Sequence, residues 1–250
     1  TTQGNERLVH AWIDEGETRR WDLEWQVEAN FDSPDKPIGI RYTIDALGRR
    51  VLKQVSTIHN VDVFGTVRAN ATPGTSADSS SNSPVPIEVP RTRLSSSAGT
   101  IETDRDGNFN FVGVNSPIDI TVDYFGQFSD VRNSGADYTI TFQDVQPGQQ
   151  NDLLANPSPT QNTTAEANVQ IHLILLRDWI RDRFPTDSTA DFRAVANVNI
   201  NSNCNAFFNG SSVNFYTSGG GCSNTAFSTV VAHEMGHWLN VRYGTGNGSD

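Results

Sequence analysis

His233-Glu234-Met235-Gly236-His237 is the stretch that most restricts how this chain can fold. Two histidines four positions apart, with a glutamate directly after the first, act together only on a helix. There positions i and i+4 share a face, with Cβ atoms about 6 Å apart. The flanks agree with a helix: Phe227, Val230 and Val231 form an apolar strip before the motif, and Gly244 stops it afterwards. Two imidazoles so placed suit one tetrahedral zinc ion, so His233 and His237 are the expected metal ligands and Zn2+ the expected cofactor. Glu234, beside the ion rather than on it, is the expected catalytic residue, a general base for metal-bound water. The competing reading of the motif is two surface histidines on an ordinary helix.

The rest of the chain reads as strands with one further helix. Residues 1–60 alternate with period two. Trp21, Leu23 and Trp25 share a face if extended, and Arg41–Asp45, a turn at Leu47-Gly48 and Val51-Leu52 read as strand, turn, strand. The segment is too short for a large core of its own and is expected to be part of a small α+β unit. Residues 61–148 carry short strand signals at the spacing of an antiparallel β-sandwich: 61–67, 86–90, 99–102, 108–112, 118–122 and 138–142. The Ser/Thr/Asn/Ala/Pro-rich loop from Asn70 to Pro86 is expected to be mobile. Asp104-Arg-Asp106-Gly107-Asn108 fits a hairpin turn, with Gly107 supplying positive φ, better than a calcium loop, because the further oxygen ligands do not follow. Residues 149–161 read as a polar linker. A helix follows, opened by Thr163-x-x-Glu166 as a capping box, carried by Val169, Leu173, Leu176, Ile180 and Phe184, and stopped by Pro185. His172 on that helix reads as a packing or surface histidine.

Charge narrows the range of partners. The chain has 18 basic against 29 acidic residues, a formal net charge of −11, and its Lys and Arg do not cluster, so nucleic acid is not an expected partner. Apolar runs fall short of the roughly 18 residues that span a bilayer, and the N-terminus has no basic stretch followed by an apolar core. Two cysteines, Cys204 and Cys222, stand outside any C-x-x-C unit and are open to three readings: free buried thiols, a metal pair or one disulfide. Few Lys, one Met and many Asn, Ser, Thr and Gly fit an extracellular protein. Four N-x-S/T sequons, starting at Asn70, Asn162, Asn209 and Asn247, are consistent with secretion but decide nothing.

Residues 203–237 resemble the gluzincin zinc metallopeptidases, the thermolysin-like and fungalysin-like enzymes. In that group a strand reading Asn-Ala-aromatic-aromatic, then Asn-Gly, then an apolar strand, precedes the zinc helix. Here these stand as Asn205-Ala206-Phe207-Phe208-Asn209-Gly210 and Val213-Asn214-Phe215-Tyr216. The resemblance implies that Asn205 and Ala206 lie on an edge strand that binds the backbone of a polypeptide substrate. Tyr42 to Leu52 looks like the last hairpin of the propeptide these enzymes carry. Residues 61–148 look like a carboxypeptidase-regulatory-like sandwich, with Thr103-Asp-Arg-Asp-Gly-Asn-Phe109 as its hallmark. The implied architecture is α+β and multidomain: a propeptide-like segment 1–60, a sandwich 61–148, a linker 149–161, and in 162–250 the N-terminal half of a thermolysin-like catalytic domain. Cys204 and Cys222 flank the implied edge hairpin, which makes a disulfide and an oxidising, extracellular location the expectation.

The resemblance also marks a departure. Gluzincins take a third ligand, a Glu, from a second helix about twenty residues past the second His. That position is expected beyond Asp250, with the missing half packing on 162–250, so the polypeptide as it stands is expected to be an inactive fragment. Metzincins continue the motif to a Gly and a third His, where this chain has Asn240 and Tyr243. Aspzincins use a downstream Asp near Gly-Thr; Gly244-Thr245 leaves Asp250 as that alternative ligand. The reading from a different class is an extracellular adhesion or structural protein, its sandwich the working part and its zincin motif vestigial.

Overall fold

The computed structural model describes residues 3–15, 18–31, 38–56 and 61–245. They fall into two units, Thr1–Asn60 and Val61–Asp250. The chain is β-rich, consistent with an α+β or mostly β class, with sixteen strands and two helices among the described residues.

The first unit is a four-stranded antiparallel meander: β1 (Gln3–Glu15), β2 (Thr18–Phe31), β3 (Ile38–Asp45) and β4 (Val51–Ser56), in that order across the sheet. Its register sets Leu8 opposite Trp25, Trp25 opposite Ile44 and Ile44 opposite Val51, one apolar row across all four strands. The expected strand–turn–strand at 41–52 is β3 and β4. Asp45 shapes the turn: its Oδ1 accepts the Leu47 N–H at 2.9 Å, and its own N–H donates to the Arg50 carbonyl at 2.9 Å. The helical part expected of this segment is not there among the described residues. Period-two alternation runs through β2 and leaves no 3.6-residue stripe for a helix to bury.

The second unit opens with β5 (Val63–Ala71), β6 (Val85–Glu88), β7 (Arg93–Ser96), β8 (Gly99–Glu102), β9 (Asn108–Phe111), β10 (Ile118–Asp123), β11 (Ser129–Asn133), β12 (Thr139–Val145) and β13 (Gln150–Ala155). One sheet runs β12-β10-β7-β8 and is antiparallel throughout; a second runs β13-β5-β6, with β9 also on β5. The stretch read as a linker, 149–161, thus holds a strand. β13 lies parallel to β5, and the fit needs glycine: a Cβ on Gly65 would sit 1.9 Å from the Asn151 carbonyl oxygen. The Asn151 side-chain amide then donates to the carbonyls of Phe64, Gln146 and Gln149, which makes a polar segment a good strand here.

The loop expected to be mobile is tied down. Asn70 and Ala71 belong to β5, and the Asn82 side-chain amide donates to the carbonyls of Pro73, Ser76 and Ala77. Asp104 spends its carboxylate on the N–H groups of Asp106 and Asn108, both at 2.8 Å. That is the hairpin turn rather than a cation loop.

Helix α1 (Gln161–Arg183) follows, then β14 (Ala194–Ile200), β15 (Ala206–Phe208), β16 (Val213–Tyr216) and helix α2 (Ser228–Arg242). The capping box of α1 is one turn earlier than Thr163-x-x-Glu166. Thr160 is the N-cap, bonded reciprocally with Thr163, and Phe184 is the C-cap before Pro185. A third sheet runs β11-β14-β16-β15, with β11 and β16 parallel to β14 and β15 antiparallel to β16. β11, from the sandwich segment, is therefore a strand of the sheet beneath the candidate site. One hydrophobic core runs from Val67 and Leu94 through Ile171 to Val213 and Val231.

Glu166 was displaced from its expected capping role because it is buried, 1% exposed, in the middle of this junction. It accepts hydrogen bonds from Asn133 Nδ2 at 2.9 Å and from the Tyr138 N–H at 2.8 Å. Burial raises its pKa from the ordinary 4.5 to about 7, against the lowering effect of those two donors. A carboxyl whose pKa is higher folded than unfolded favours folding while protonated. Its contribution is full below pH 4.5 and is lost as the pH rises through about 7. Wild-type stability is expected to fall by about 3 kcal/mol across that window. Glu166→Gln is expected to flatten this part of the profile. Denaturant titrations at several pH values check it, and parallel profiles for the two proteins refute it.

Candidate metal centre

The helix read from the motif is α2, with the histidine pair at its middle and Gly244 just past its end, at φ 71°. His233 Nε2 and His237 Nε2 lie 3.0 Å apart, with ring planes at 84°. Both rings therefore turn the same nitrogen toward one point. Two nitrogens bound at 2.0–2.1 Å to one tetrahedral ion are about 3.3 Å apart, so the spacing is near that of a shared ligand pair. His233 is exposed and His237 half-buried, so the point is open to solvent on one side. Glu234 turns inward and is 2% exposed. Among the described residues, no three His, Cys, Asp or Glu side chains gather into a metal-binding group. The proposed ligand position Asp250 lies outside the described residues, as does the sequon at Asn247.

The placement of α2 is over-determined at both ends. Phe227 caps its N-terminus without a side-chain bond. Instead Ser228 Oγ donates to the Gly74 carbonyl at 2.7 Å, and Thr229 Oγ1 to that of Thr75 at 3.2 Å. Asn168 of α1 donates to the Ala226 carbonyl at 2.8 Å while its Oδ1 accepts the Thr72 N–H at 2.7 Å. A second chain of amides runs from Glu166 through Asn133, Asn199 and Asn224 to the Ala226 N–H. Fully satisfied buried networks of this kind fix orientation rather than merely adding stability. At the other end Trp238 packs on Phe208 of β15 and on Phe192, with centroids 5.3 and 4.8 Å away.

β15 is an edge strand: among the described residues it pairs with β16 alone. Ala206 opens it, buried and opposite Phe215, while Asn205 sits exposed just before it. The Asn205 carbonyl accepts from Thr225 Oγ1 at 3.1 Å. Cys204 and Cys222 form a disulfide across a separation of 18 residues. It closes the β15–β16 hairpin at its base, beside the Gly219–Cys222 bridge. Loop closure of this length stabilises by about 3 kcal/mol in the chain-entropy picture.

His172 is half-buried, and burial lowers its pKa to about 4, so it is a neutral packing histidine. A cavity of about 390 Å³ between β5, β6 and α1, edged by Arg68, Glu88, Arg105 and Leu175, includes none of the residues named from the motif. What the sequence reading missed are the asparagines that hold α2: Asn168, Asn199 and Asn224. None of the three carried a sequence signal, since each makes its bonds to residues far along the chain. Comparison with protein-family models found no match, and neither did comparison with curated proteins.

Proposed function

We propose that this chain carries the first two metal ligands and the general base of an exported zinc-dependent endopeptidase. The observation behind the reading is the convergence of His233 Nε2 and His237 Nε2 to 3.0 Å on a helix fixed at both ends. The donor set suits zinc, two neutral imidazole nitrogens being borderline ligands of the kind it takes. A third protein ligand has to come from outside the described residues. When bound, zinc would supply Lewis-acid chemistry, making a water more acidic and a carbonyl more electrophilic. His233 and His237 would hold the ion, and Glu234 would take the proton of the attacking water on its carboxylate and pass it to the departing amine. The outer edge of β15, beside α2, offers a row of backbone donors and acceptors to an extended peptide, with Asn205 at its start. The disulfide supports export, because such bonds persist in oxidising compartments.

Metal analysis of the full-length protein after dialysis against buffered zinc tests the reading. The expected result is about one zinc per chain, lost in both His233→Ala and His237→Ala. No zinc on the wild type, or zinc kept at the wild-type level by either variant, overturns it and leaves the sandwich as the working part.

A further inference from the structure

The β15–β16 hairpin turns through Asn209-Gly210-Ser211-Ser212, and this turn has a chemistry of its own. Asn209 Oδ1 accepts three hydrogen bonds: from the Ser211 N–H at 3.0 Å, the Ser212 N–H at 2.8 Å and Ser211 Oγ at 3.1 Å. These donors fold the carboxamide back over the following peptide groups. Asn209 is exposed, Gly210 is at φ 94°, and a Cβ on Gly210 would meet nothing within 4 Å, so the glycine amide is open to solvent. The Gly210 N–H makes no hydrogen bond among the described residues.

We infer that Asn209 is a site of spontaneous deamidation, with the turn itself supplying the catalytic donors. The Gly210 amide nitrogen loses its proton to solvent and attacks Asn209 Cγ, forming the new N–C bond of a five-membered succinimide. The electron pair displaced from the C=O bond gathers on Oδ1. There the two N–H groups and the Ser211 hydroxyl already point, as an oxyanion hole does. The pair returns, the Cγ–Nδ2 bond breaks and ammonia leaves with a proton from solvent. Water then opens the ring at either carbonyl to give aspartate or isoaspartate, so the net change is water in and ammonia out. Glycine at the attacking position presents no side chain to hinder closure.

Another glycine turn of the unit shows what protection looks like. At Asp106-Gly107 the Gly107 N–H donates to the Asp104 carbonyl at 3.3 Å, and the position of a Cβ lies 2.9 Å from the Val67 carbonyl oxygen. That amide is engaged and walled in. The buried asparagines 70, 168 and 214 are likewise held inside the fold. Isoaspartate at 209 would insert a methylene into the backbone between β15 and β16, so the product would differ at the strand that edges the candidate site.

Peptide mapping of the intact protein, held for days in mildly alkaline buffer, is the test. Asn209 is expected to be the first of the described asparagines to gain the mass of an amide-to-acid change, as a pair of chromatographically separate isomers. Ser211→Ala, which removes one of the three donors and keeps the turn's N–H groups, is expected to slow that conversion several-fold, and Ser211→Thr to restore it. Asn209 remaining intact while other described asparagines convert overturns the inference, as does Ser211→Ala converting at the wild-type rate.

Discussion

Glu234→Gln is expected to lower peptide hydrolysis by a factor of about 10²–10⁴ in zinc-loaded, active protein, with the zinc still bound. The substitution keeps shape and hydrogen-bonding capacity but cannot accept a proton at neutral pH. The side chain is 2% exposed, on the inward side of a helix fixed at both termini, so the amide should keep the place of the carboxylate. The expected loss is therefore in kcat, with little change in KM, because an interaction made only in the transition state is removed. Zinc content measured on the same sample separates this result from loss of the metal. Turnover within a few-fold of wild type would show that the base lies elsewhere and that Glu234 serves only to pack α2.

How far the sequence could be read differed between elements for physical reasons. α2 was legible because its motif, apolar strip and terminal glycine are all local signals. The β3–β4 hairpin and most sandwich strands were legible from alternation and turn residues. β11 and β13 were not. Ser129–Asn133 and Gln150–Ala155 are polar, and they become strands through partners far along the chain, Ala194–Val198 and Phe64–Ala69. The start of α1 misled in the same way. Glu166, Asn168 and Gln170 are polar residues of the kind a helix usually turns to solvent, yet each is at most 2% exposed. Gln170 accepts from Ser129 Oγ and donates to the Pro90 carbonyl, contacts that no periodicity records. The histidine pair was readable as a pair; its fastening was not, because the asparagines that hold α2 come from α1, β14 and the loop before it.

Asp178→Ala is expected to cost about 3–5 kcal/mol of stability. Asp178 is 3% exposed on α1, and three arginines converge on it: Arg177 at 2.7 Å, Arg91 at 3.4 Å and Arg105 at 3.9 Å. Arg91 and Arg105 belong to the sandwich segment, while Arg177 also reaches Asp191 and lies over the Phe128 ring at 4.0 Å. Without the carboxylate, Arg91, its side chain 29% exposed, loses its ion-pair partner, and Arg177, 14% exposed, is left with Asp191 alone. The cost is that of stranding buried charge, which far exceeds the value of an exposed pair. Arg105, whose side chain is 50% exposed and which also pairs with Asp182, serves as the internal comparison. Arg105→Ala is expected to cost less than about 1 kcal/mol. Because the seam joins α1 to the sandwich, Asp178→Ala should lower one cooperative transition of 61–250 by roughly 6–20 °C rather than release the sandwich alone. Calorimetry decides: two resolved transitions in the variant, or a loss no larger than that of Arg105→Ala, would mean that the sandwich and the helical part hold together without this carboxylate.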